Sequence, residues 1–200
     1  MDKKILEDVY QYWFGTLAGP HDFPEEKAAI WFKKSDETDR TIRDKFGAAI
    51  SEASKIEWNL DDLSRQQQVG LIVLLDQFPR NIFRTSGESF AYDAKARDIA
   101  RALIDSGWRH FHYCEQCFVF LPLEHSEEVA DQDLSVQLFA ERTIAAPKEL
   151  QEKARGQLDF ATKHRDLIRK FGRFPHRNAL LGRQSTPEEE AFFESNGRGF

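Results

Sequence analysis

The sequence predicts an all-α protein, and three observations carry that prediction. Apolar residues recur three and four positions apart through most of the chain, the spacing that lines them up on one face of a helix. No segment alternates apolar and polar residues as a half-buried strand would. Valine, a strong strand former, occurs only six times in 200 residues.

The first helix is expected from about Lys4 to Phe14, with Ile5, Val9, Tyr12 and Trp13 on its inner side, ending at Gly15 and the Gly19-Pro20 pair. After Pro24 a short helix carries Ala29 to Phe32. Ser35 then reads as an N-cap, followed by Asp36, Glu37 and Asp39, whose charges favour a helix N-terminus, and by a buried stripe of Ile42, Phe46, Ala49, Ile50 and Ala53. A fourth helix from about Leu63 to Gln77 has the most apolar centre, Gly70 to Leu75, and is expected to be enclosed on several sides and ended by Pro79. Further helices follow over Phe90 to Ser106, closed by Gly107, and over Tyr113 to Leu121, stopped by Pro122. Ser126 is expected to cap an acidic helix running to Ala146, with Val129, Leu134, Leu138 and Phe139 inside. Pro147 opens a long helix to about Phe171. Thr186-Pro187-Glu188-Glu189 combines an N-cap, a first-turn proline and a capping-box glutamate, so a last helix covers about Pro187 to Glu194. About eight helices joined by short connections imply antiparallel hairpins in one domain over residues 1–200, with Ser195 to Phe200 a loose, glycine-containing tail.

Charge and composition exclude several classes of function. A net charge of -6 argues against general nucleic-acid binding, which needs basic surface against phosphates. The longest apolar run falls far short of the roughly 20 residues that span a bilayer, and Met1-Asp2-Lys3-Lys4 opens no signal-peptide core, so a cytoplasmic, non-membrane protein is expected. Charge is uneven along the chain. Lys163 to Arg183 holds seven Lys or Arg against one acid, whereas Glu124 to Glu141 holds six acids and no Lys or Arg. Opposite segments of this kind are expected to face each other.

Candidate chemistry concentrates at three proline corners: Asp76 to Asn81, Leu121 to Ser126 and Arg173 to Asn178. Charges beside apolar runs at helix ends need partners, because an unpaired buried charge is costly. On a structural reading Asp76 pairs with Arg80 or Arg177 and pins helix ends together. On a functional reading Arg80, Asn81, Arg177 and Asn178 converge with Asp76 and Ser126 to bind a small anionic ligand, with Glu124, His125 and His176 as the proton-transfer groups. No pair of the six histidines has zincin spacing, and a site drawn from His125, His164 and His176 with Asp76 or Glu124 is the less favoured reading, so no metal or cofactor is expected. Cys114 and Cys117 lie in an apolar helical run and read as core cysteines rather than a redox pair. The pairs Trp13-Phe14 and Trp31-Phe32 likewise read as core, although a ligand pocket would also use them. Phosphate-binding loops and the Gly-x-Ser-x-Gly elbow are absent.

Several segments together carry a resemblance: Trp13-Phe14-Gly15, Trp31-Phe32, Leu74 to Arg84, Ala91-Tyr92-Asp93, Phe120 to Glu127, Phe171 to Asn178 and Leu181-Gly182-Arg183. They resemble the bacterial domain of unknown function 924 family over nearly the whole chain, departing at Leu123 and in the cysteines of the preceding helix. The resemblance implies an all-helical fold similar to tetratricopeptide-like arrays and no established activity. A peptide- or protein-binding scaffold without catalysis is therefore the alternative to a metabolite-binding pocket.

Overall fold

The computed structural model of the chain describes residues 1–196, and its regular elements are all helical among them. Helix α1 (Lys4–Phe14) buries Leu6, Val9, Tyr10, Trp13 and Phe14, so its inner face is turned slightly from the expected one and leaves Ile5 and Tyr12 half-buried. Helices α2 (Glu25–Trp31) and α3 (Asp36–Ser54) follow as expected, and the Thr38 N–H donates to Ser35 Oγ at 3.2 Å, the predicted cap.

Pro79 does not end the fourth helix. Helix α4 (Arg65–Ile72) widens into a π turn over Val73–Gln77 and continues as α5 (Phe78–Ile82), with Pro79 in the first turn of α5. A proline interrupts a helix because it lacks an N–H and crowds the carbonyl four residues back. In the widened turn the Phe78 N–H donates five residues back to Val73 O, and Arg80 Nη1 donates to Asp76 O at 2.7 Å. The whole stretch from Val69 to Pro79 is buried, as its apolar centre predicted.

Helix α6 (Asp93–Asp105) starts three residues later than expected, because Gly87–Phe90 forms a separate 3₁₀ turn. Helix α7 (Tyr113–Glu124) runs through Pro122 instead of stopping there. Its last turn is held from outside: buried Gln132 donates Nε2 to Glu124 O and Ser126 O, both at 2.7 Å, occupying carbonyls a helix end leaves open. Gln132 belongs to α8 (Val129–Ala145), which begins later than expected. Ser126 is therefore not its N-cap residue; its Oγ accepts from the Glu128 N–H and donates to Asp131 at 2.6 Å. Val129, expected inside, is 45% exposed. Helix α9 (Gln151–Phe171) lies against α8, and Arg169–Asp133 and Arg183–Glu127 pairs join the basic and acidic segments as their charges implied. Helix α10 (Pro187–Asn196) carries the predicted capping box between Thr186 and Glu189. Ser195, expected in the loose tail, belongs to α10; residues 197–200 lie outside the described residues.

The core forms where α1, α4, α6 and α7 pack together. Trp13, Phe14, Trp31, Phe78 and Phe118 meet there edge to face, with centroid separations from 4.9 to 5.8 Å. Each such pair adds roughly 0.5–1.5 kcal/mol beyond area burial, which is why the aromatic residues serve packing first. Cys114 and Cys117 are free and buried, and burial pushes both thiols up to about 12, the chemistry of core residues. No helix among the described residues is long and apolar enough to cross a membrane.

Candidate functional site

The π turn, α5, the end of α7 and one face of α9 surround a cleft of about 680 Å³, within the range of small-ligand sites. Its polar end is lined by Gln77, Arg80 and Asn81 from the π turn and α5, Arg84 from the turn after α5, Glu124 and His125 from the end of α7, and His164 from α9. Its apolar walls come from Phe23, Trp31, Phe32, Leu121, Phe139 and Phe160. Single-turn π segments inside helices recur at functional sites because they turn side chains out of helical register. Here the π turn presents Asp76 to the end of α7.

Asp76 is fully buried, and its Oδ1 lies 2.8 Å from His125 Nδ1. Gln77 Nε2 donates to the other carboxylate oxygen at 2.6 Å, and Arg80 Nη1 stands 3.4 Å from Oδ1. Burial opposes ionisation of Asp76, but His125 and Arg80 beside it, with the donors on His125 and Gln77, hold its pKa below the ordinary carboxylate value. His125 moves downward as well: burial comes first, then the Arg80 charge, against the pull of Asp76. A neutral imidazole facing a carboxylate through Nδ1 must donate there, so the acceptor lone pair sits on Nε2.

Glu124 behaves in the opposite sense. Burial, followed by repulsion from Asp76, pushes its pKa up to about 8, so it is mainly protonated at neutral pH. His164 Nδ1 donates to Phe160 O at 2.9 Å and lies 3.4 Å from Glu124 Oε1. Burial first, with the charge of Arg177 adding to it, lowers His164 to about 3, against the Phe160 carbonyl, which accepts from the ring and favours its protonation. The Glu124–His164 contact is therefore between neutral groups at pH 7.

The second corner meets the first directly, through His125 and Asp76, and the third meets it through Asp93. Arg80 grips Asp93 with both guanidinium nitrogens at 2.8 and 2.9 Å, and Arg177 Nη1 reaches the same carboxylate at 3.5 Å. Arg177 also donates to His125 O at 2.9 Å and lies between the rings of Phe90 and Phe174. The Phe78-Pro79 and Phe174-Pro175 corners thus each send an arginine to one acid. Asp76 does pair with Arg80, as the structural reading held.

Of the sequence-derived candidates, Arg80, Asn81, Glu124 and His125 line the cleft, and Asp76 lies directly behind His125. Arg177 supports the site from outside. Ser126, His176 and Asn178 do not line it: Ser126 binds Asp131, and Asn178 donates to Ser185 and Glu189 at the start of α10. His176 stacks beside Phe174, and burial, with Arg177 next, lowers it to about 4. Among the described residues no group of three or more His, Cys, Asp or Glu is placed to hold a metal ion, so the alternative ligand set does not assemble. Sequence reasoning passed over Gln77, Arg84 and Asp93, and weighed His164 only as a metal ligand. A signal for Asp93 existed, since it stands in the Ala91-Tyr92-Asp93 motif. Arg84 is held by Asp39 at 2.5 and 2.8 Å, and Asn81 Nδ2 donates to the same acid at 2.9 Å.

This helical architecture is that of a class of bacterial proteins of unknown function. The chain belongs to the domain of unknown function 924 family, whose profile matches residues 9–197. It is similar to the solved structure of a protein of unknown function from Agrobacterium tumefaciens, with 30% identity, a TM-score of 0.77 and coverage of 98% of this chain and 100% of the other. Comparison with curated proteins yields no match.

Proposed function

We propose that the cleft is an acid–base site for a small substrate with an uncharged polar head and an apolar body. His125 Nε2 takes a proton from the substrate or from an attacking water, and Glu124 gives one to the atom that gains electron density. The buried Asp76–His125 hydrogen bond at the cleft floor carries this reading. Asp76 fixes the ring's tautomer and stabilises the imidazolium once it forms, while Arg80 keeps Asp76 ionised. Paired titratable groups whose surroundings drive them apart mark acid and base roles. Glu124 and His125 are adjacent in sequence, yet one is held protonated and the other neutral.

An uncharged head is favoured over the anionic one expected from sequence. Arg80 is engaged by Asp93 and Asp76, and Arg84 by Asp39, so an anion would have to compete with carboxylates already at hydrogen-bond distance. A peptide-binding scaffold is the rival reading, and it draws support from Phe32 and Phe160 at the cleft, 66% and 51% exposed.

Amide NMR of labelled protein against small neutral amides and esters, with carboxylates and phosphates alongside, separates these readings. Neutral compounds are expected to shift the amides of Asn81, Glu124 and His125, and His125→Gln to weaken them. Shifts from the anions alone, or none from any compound, count against an uncharged-substrate site. Stoichiometric recovery of a peptide partner by the wild type and His125→Gln alike favours the scaffold.

A further inference from the structure

We infer that Gly156 on α9 is the specificity-determining residue of the cleft, opening a slot for the elongated aryl or acyl body of an amide-like substrate. The inference rests on the acid–base reading of the same cleft, and its test is chosen to fail separately.

Gly156 lies well inside the 21-residue helix α9 and lines the cleft. An interior glycine destabilises a helix by roughly 0.5–1 kcal/mol relative to alanine, so its presence asks for a reason. The usual reasons do not apply. Its backbone is helical with no positive φ, and a Cβ built on it meets nothing within 4 Å, so no neighbouring helix requires the missing side chain. Gly70 shows the contrast: its Cβ would fall 2.1 Å from Leu6 O, a glycine the fold itself demands. Gly156 is exposed, and a Cβ there would enter open space where α9 borders the cleft.

The position of that volume sets the shape of the occupant. Gly156, Phe160 and His164 follow at four-residue intervals and form one stripe of α9 along the cleft wall. Eight residues of helix span about 12 Å, so the open notch lies about that far along the wall from His164. His164 touches Glu124, at the reacting end. A substrate whose head meets Glu124 and His125 needs an apolar body of comparable length to reach the notch, passing Phe160. The head needs an acceptor for the Glu124 proton and a donor for His125 Nε2, which a carboxamide supplies together.

Benzamide and 4-phenylbenzamide are suitable probes, because the first is too short to reach residue 156 and the second spans the distance. Binding of both is measured by NMR titration to wild type, Gly156→Ala and Gly156→Leu, with thermal unfolding in parallel. Gly156→Ala is expected to raise the melting temperature by a few degrees, as a better helix former without a clash. It is expected to weaken 4-phenylbenzamide by about threefold or more, and Gly156→Leu by about tenfold or more, while benzamide binds all three proteins equally. Equal binding of the long amide to all three proteins overturns the inference and leaves the site reading standing. A fall in melting temperature for Gly156→Ala overturns it too, since the fold would then need the glycine. Failure of both amides to bind wild type removes the site reading itself.

Discussion

Replacing Glu124 by glutamine is expected to flatten the pH dependence of stability between pH 6.5 and 8. Glu124 has an ordinary value of 4.5, and burial raises it to about 8 in the folded chain. A carboxyl raised on folding binds more protons folded than unfolded between those values. Its contribution is therefore fully present below pH 4.5 and is lost as pH rises to 8, at about 1.4 kcal/mol per pH unit. His164 and His176 act in the opposite direction. Lowered to about 3 and about 4, they strengthen the fold as pH rises toward 6.5, and then their effect is complete. Below pH 6.5 the terms oppose each other; from 6.5 to 8 Glu124 dominates, and the wild type is expected to lose about 2 kcal/mol. The substituted carboxamide mimics the protonated carboxyl in shape and never ionises. Urea unfolding of both proteins at pH 6.5 and 8 gives the double difference, from which groups common to both cancel. Parallel curves would refute the buried protonated acid, and with it the assigned proton donor.

Three further substitutions test the frame that holds the site. Gly70→Ala is expected to cost about 3 kcal/mol or more in urea unfolding, or to prevent folding, because backbone of α1 occupies the added methyl's position; retention of wild-type stability would show that the helices do not approach so closely. Arg177→Met is expected to stay within about 1 kcal/mol of wild type, while Arg80→Met costs roughly 3–5 kcal/mol by the same assay. Burial and repulsion by Arg80 lower Arg177 to about 10 and its Nε has no partner, whereas loss of Arg80 strips buried Asp76 of its closest permanent cation. Equal losses from the two changes would contradict that division.

Ser35 and the Thr186–Glu189 capping box were legible because a cap is built by residues within four positions of one another. The two prolines were not. Whether a helix continues past Pro79 depends on a π turn and the Arg80 side chain, and past Pro122 on Gln132, eight residues beyond Glu124 on another helix. The corners holding Asp76, Arg80, Glu124 and His125 stood out in sequence as charges beside apolar runs. Their convergence was not visible there, since the link between Arg80 and Arg177 is Asp93, and the partner of His125 lies 49 positions away. Ser126, His176 and Asn178 have similar local surroundings in sequence, yet the fold turns them away from the cleft.

By itself the sequence determined the all-helical class, the caps at Ser35 and Thr186, the apolar centre of the fourth helix, the matching of acidic and basic segments and the family. Each of these rests on residue types at short spacing or on the pattern of the whole chain. Tertiary structure alone decided which polar residues share a cleft, which arginines are already engaged, and that burial drives Glu124 toward its protonated form and its neighbour His125 toward its neutral one. Those properties depend on burial and on charges brought together from distant parts of the chain, and a pKa is set by what surrounds a group in space.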